Sequence, residues 1–72
     1  MFTSVKKQRN AKYRMTKNII GMTLAQAFVI SRRDGFDVNV ASIDGARVND
    51  VLRSAKSINV IVENDIIRRA WS

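Results

Sequence analysis

Ser57-Ile58-Asn59-Val60-Ile61-Val62-Glu63-Asn64-Asp65-Ile66-Ile67-Arg68-Arg69-Ala70-Trp71 is the stretch on which the fold turns. β-Branched residues dominate Ile58–Val62, which suits a pleated surface, and Asn59 interrupts the apolar run. Asn64-Asp65 is a turn signal, so Ile66–Trp71 is expected to return antiparallel to the strand before it. Arg68 and Arg69 read as a solvated strand end, and Trp71 as core or edge packing.

Upstream, Phe36-Asp37-Val38-Asn39-Val40 alternates apolar and polar side chains, the pattern of a half-buried strand, and runs on to about Ile43. Asp44-Gly45 ends it as a turn. Residues 46–57 then separate the two strand signals. A connection of that length permits a parallel pair, which a tight hairpin does not. Two readings of it stay open. Val48, Val51, Leu52 and Ala55 have helical spacing, which allows a short helix over Val48–Ala55. The other reading is an extended, exposed loop; a long unstructured connection in so small a domain is usually functional.

Further upstream, Thr23 is a good N-cap and Gln26 completes a capping box. Leu24, Ala27, Phe28 and Ser31 recur on one helical face with Ile30 beside them. Arg32 and Arg33 stand where the helix dipole favours cations, and Gly35 is placed as a left-handed stop. The pattern predicts a helix over Leu24–Arg33.

Charge divides the chain. Residues 1–19 hold Lys6, Lys7, Arg9, Lys12, Arg14 and Lys17 and no acid, whereas the seven bases and six acids of residues 20–72 nearly cancel within a formal net charge of +7. Residues 1–18 have no clean apolar face and read as a mostly flexible basic arm whose last residues dock on a folded domain, 19–72. Its six bases, with Phe2 and Tyr13 among them, suit contact with the phosphates of a nucleic acid or with an acidic protein. A solvated, solubilising tail is the plainer reading. No recognition helix or nucleic-acid motif accompanies the arm, so sequence-specific readout is not expected.

Composition excludes much else. With 72 residues the chain makes one domain, close to the size at which a core holds without staples. Having neither cysteine nor histidine, it can build no disulfide, no thiolate or imidazole metal site, and no Ser-His-Asp or Cys-His arrangement. Asp34, Asp37, Asp44, Asp50, Glu63 and Asp65 are spread among turns and strand faces, with no spacing suited to acid–base work or a calcium loop. No catalytic residue, metal site or cofactor is expected, and an enzyme is not the reading. No apolar stretch is long enough for a bilayer and no apolar block follows the basic start, which points to an intracellular protein without membrane contact.

Ile19-Ile20-Gly21-Met22-Thr23-Leu24-Ala25-Gln26-Ala27 resembles the opening (L/V)-V-G-K-(S/T)-V-x-x-A of the potato inhibitor I family of serine-protease inhibitors. From there the sequence aligns without a gap through Ile58–Glu63, which looks like the strand that follows that family's reactive loop. The tail from Ser57 to Trp71 is still more similar to a bacterial group of small protease inhibitors, with an (R)-(I/L)-N-V-x-(V/L)-(D/E) strand and an I-x-R-x end. The resemblance covers about residues 19–72. It implies an α+β fold: one helix packed on a small mixed sheet with a parallel central strand pair and a long exposed connecting loop.

The resemblance further implies that this loop enters a serine protease's active site as a substrate mimic. Val51 would then be the primary-specificity residue and Val51–Leu52 the scissile bond, with Asp50 and Arg53 flanking them. The sequence also departs from the family. Asp50 stands where a Thr is usual, Leu52 where an acid is usual, and Ser54 and Ser57 where arginines brace the loop from beneath; some members carry another arginine where Asn59 stands. Without those arginines the loop is expected to be mobile, slowly cleaved and only weakly inhibitory. The alternative is a non-inhibitory basic binding or assembly protein on the same scaffold.

Overall fold

The computed structural model describes residues 11–72. Residues 11–18 form a first helix, α1, and Leu24–Arg33 the second, α2. The strands are β1 (Asp37–Ile43), β2 (Ala46–Arg47), β3 (Ser57–Glu63) and β4 (Ile66–Trp71). They form one sheet in the order β2-β1-β3-β4, in which β1 and β3 run parallel and the outer pairs antiparallel. The fold is α+β with a mixed sheet and a parallel central pair, as expected.

Local chemistry sets each element. Thr23 accepts a hydrogen bond from the Gln26 amide while the Gln26 side chain accepts one from the Thr23 amide, closing the capping box that starts α2. Gly35, at φ 83°, makes the left-handed turn that ends it. Asp44-Gly45 and Asn64-Asp65 form the two-residue turns, all four residues at positive φ, which matches the twist of flanking antiparallel strands. The turns touch: the Asp44 carboxylate accepts a hydrogen bond from the Asn64 amide at 2.8 Å.

The core lies between the helices and the sheet. Met15 and Ile19, Ala27 from α2, Val40 from β1, Ile58, Val60 and Val62 from β3 and Ile67 from β4 are buried in it. Within α2 the buried stripe is centred on Ala27 and Ser31 and turned toward Ile30, so Phe28 sits at its margin, 38% exposed. That corrects the expectation that Phe28 shares the inner face.

A larger correction concerns the arm. Its last residues dock on the core, as expected, but residues 11–18 do so as a helix, because Met15 and Thr16 give α1 a face to bury and Ile19 follows them into the core. Lys6, Lys7 and Arg9, with the rest of the expected arm to residue 10, lie outside the described residues. After α1 the chain runs along the edge of β4. Gly21 donates to the Ile67 carbonyl at 2.8 Å and Ile67 donates to Met22 at 2.9 Å, which pairs the first half of that edge strand.

Candidate functional site: the loop between β1 and β3

Residues 48–54 belong to no helix or strand, and Val48 to Lys56 are all exposed. The helical reading of Val48–Ala55 is therefore overturned, because the strands that flank the segment hold its backbone extended. At the entry, β1 carries a bulge at Ala41, where the register with β3 jumps between Val40 and Ser42. A bulged residue is free of the ladder. Its carbonyl accepts instead from Val48 at 2.8 Å and Asn49 at 3.4 Å, while the Asn49 carboxamide donates to the Val40 carbonyl at 3.0 Å.

At the apex, two asparagines do the holding. Asn39 and Asn59 are register partners in the parallel pair. Asn59 is wholly buried. Its Oδ1 accepts from the Leu52 amide and its Nδ2 donates to the Leu52 carbonyl, both at 2.9 Å. A carboxamide presents the same donor–acceptor pair as a peptide group, so Asn59 grips Leu52 as a neighbouring strand would. Asn39 Nδ2 donates to Asn59 Oδ1 at 2.9 Å and to the Asp50 carbonyl at 2.8 Å. The backbone is thus pinned on both sides of Val51. Asp50 also pairs with Arg47 through a contact between two exposed side chains, an arrangement that adds little.

At the exit, the Ser54 carbonyl accepts from the Ser57 amide at 3.2 Å, and Asp37 of β1 donates to the Lys56 carbonyl at 2.7 Å. Lys12 of α1 reaches the Ser54 carbonyl with its ammonium at 2.9 Å. A cavity of about 420 Å³, lined by Val51, Leu52, Arg53, Ser54, Trp71 and Ser72, lies between this limb and the chain's last residues. Trp71 stands opposite Asn59 across the β3–β4 ladder.

Of the residues that the sequence singles out, Asp50, Val51, Leu52 and Arg53 form the loop's apex. Asn59 hydrogen-bonds Leu52 from beneath the loop, and Ser57 is buried at the base of β3. Val51 is not the most protruding apolar side chain. It is 47% exposed against 48% for Leu52 and 49% for Val48. Asn39, Lys12 and Trp71 were missed as loop residues. An alternating strand makes Asn39 look like an ordinary outward polar residue, and nothing in sequence places α1 beside residue 54.

The bases of α1 are not gathered for one ligand. Lys12 faces the loop, whereas the Lys17 ammonium lies over the Tyr13 ring, 4.8 Å from its centre. Among the described residues no group of three acidic side chains is placed to hold a metal ion, and no helix is long and apolar enough to cross a membrane.

The chain matches no protein-family model, no curated protein and no solved structure.

Proposed function

We propose that this protein binds a serine protease, with residues 48–56 entering the active-site cleft as a substrate mimic, in the manner of the potato inhibitor I family that the sequence resembles. The observation that carries this reading is the pinning of Asp50 and Leu52 by Asn39 and Asn59, which leaves Val51 between them unbraced and half exposed. An extended loop held in one shape loses little entropy on docking, which separates an inhibitor from a substrate. Pinning on both flanks has a second effect. If the Val51–Leu52 bond is cut, Asn39 still holds the acyl side and Asn59 the amine side, so the ends stay together and can be rejoined. Val51 suits a mid-sized apolar pocket, as in subtilisin- or elastase-like enzymes.

The test is titration of such enzymes with the purified protein against a small chromogenic substrate, with mass spectrometry of the loop over hours. Competitive, stoichiometric loss of activity with slow or no cleavage supports the reading. Rapid multiple cleavage, or no effect on any of these enzymes, refutes it.

The second reading, contact with a polyanion through Lys6, Lys7, Arg9, Lys12, Arg14 and Lys17, is supported by the segregation of charge in the sequence and by the exposure of Arg14 and Lys17 on α1. Lys12 apart, which donates to the Ser54 carbonyl of the loop, it uses another part of the molecule and does not exclude the first.

A further inference from the structure

We infer that Lys12 is a positioning residue for the loop: its ammonium, anchored through α1, fixes the limb that follows the Val51–Leu52 bond. This inference assigns a role within the protease-binding reading and rests on it only for its consequence.

The chain of support is short. Met15 and Ile19 root the end of α1 and the residue after it in the core. The Thr16 hydroxyl donates to the Lys12 carbonyl at 2.7 Å, within the same helix. Lys12 thus projects from a fixed helix, and its Nζ meets the Ser54 carbonyl at 2.9 Å, 42 residues away in sequence. The limb has one other support from the sheet, the Asp37 amide of β1 on the Lys56 carbonyl at 2.7 Å. Asn59 releases the chain after Leu52, and the strand begins only at Ser57. Between them the Ser54 carbonyl is held by the Ser57 amide, which belongs to the local turn, and by Lys12, which belongs to the rest of the fold. Leu52–Ser54 are exposed and line a cavity with Trp71 and Ser72, so close packing does not fix the limb. Polar tethers, Lys12 at Ser54 and Asp37 at Lys56, therefore decide its position.

Lys12→Met and Lys12→Arg in the full chain test this. Amide hydrogen exchange by NMR is read at Leu52, Lys56 and Ser57, with hydrolysis of Val51–Leu52 by subtilisin read alongside. The Lys56 and Ser57 amides donate to Ser54, so Lys12→Met should speed their exchange about two- to ten-fold, the range set by one hydrogen bond. Leu52, held by Asn59, should be unchanged, whereas a global loss of stability would speed all three. Hydrolysis should rise by a similar factor, and Lys12→Arg should restore both. Wild-type exchange in Lys12→Met, or an equal rise at all three amides, overturns the inference. If Lys56 and Ser57 respond while subtilisin neither binds nor cuts any form, the positioning role stands and the protease-binding reading fails.

Discussion

Asn39 and Asn59 face each other across the parallel β1–β3 pair with their carboxamides 2.9 Å apart, and each also grips the loop above, Asn39 at Asp50 and Asn59 at Leu52. A polar pair on the sheet face away from the helices thereby holds the loop with short side chains. Short side chains lose less rotamer freedom than arginines do, and every bond ends on backbone or on the partner asparagine.

Replacing Asn59 with alanine should be the most damaging change near the loop. It leaves the Leu52 amide and carbonyl without their partner and opens a buried hole. A loss of about 2–4 kcal/mol is expected in urea denaturation, with faster cleavage at Val51–Leu52. Asn39→Ala should cost about 1 kcal/mol. Because the two share a bond, the double variant should lose less than the sum of the singles. Strict additivity would show that the pair does not act as a unit.

Val51 should matter for binding and not for stability. It is half exposed and its flanks are fixed by main-chain contacts, so Val51→Asp should leave the thermal midpoint within about 2–3 °C of the parent. Affinity for an enzyme with an apolar pocket should fall by at least about ten-fold, since a carboxylate would have to be desolvated there. An unchanged inhibition constant would move the contact away from Val51.

Ser31 offers a stabilising change. Its hydroxyl is buried in α2 against the sheet with no hydrogen-bond partner among the described residues. An unsatisfied buried hydroxyl costs about 1–3 kcal/mol, and alanine is the better helix former. Ser31→Ala should raise stability by about 1 kcal/mol, read as a thermal midpoint about 4–8 °C higher. A lowered midpoint would show that the hydroxyl makes a bond after all.

The polyanion reading predicts a salt dependence. If all six N-terminal bases contact phosphates, log affinity for DNA or RNA should fall against log salt with a slope of roughly −4 to −5.5. Converting Arg14 and Lys17 to glutamine should flatten that slope by about 1.5 without changing the loop. Binding that does not respond to salt, measured by fluorescence anisotropy, would remove the polyanion reading.

The elements were legible in the sequence because each is specified by neighbours a few residues apart. Thr23 and Gln26 mark the start of α2, Gly35 its end, and the β-branched run at Ile58–Val62 marks β3. Two residues, Ala46 and Arg47, form an edge strand too short to carry a pattern. The helix at 11–18 was hidden for a different reason: Met15 and Ile19 are apolar but isolated, and only the core they enter makes their spacing meaningful. The parallel pairing was permitted by the long connection, and the resemblance to the inhibitor family went further in implying it.

What the sequence determined alone is therefore the order of α2, β1, β3 and β4 and the absence of histidine and cysteine chemistry. Tertiary structure decided whether that connection is helix or loop and whether it is held. Val48–Ala55 has helical spacing, yet its amides and carbonyls find better-placed partners in Ala41, Asn39 and Asn59. Those partners lie 7 to 11 residues away in sequence, or across a strand pair, so their effect depends on register. Asn59 reads as a flaw in an apolar strand until β1 sets Asn39 beside it. The same two side chains on strands slipped by one residue would face the core, and the loop would have nothing to hold it.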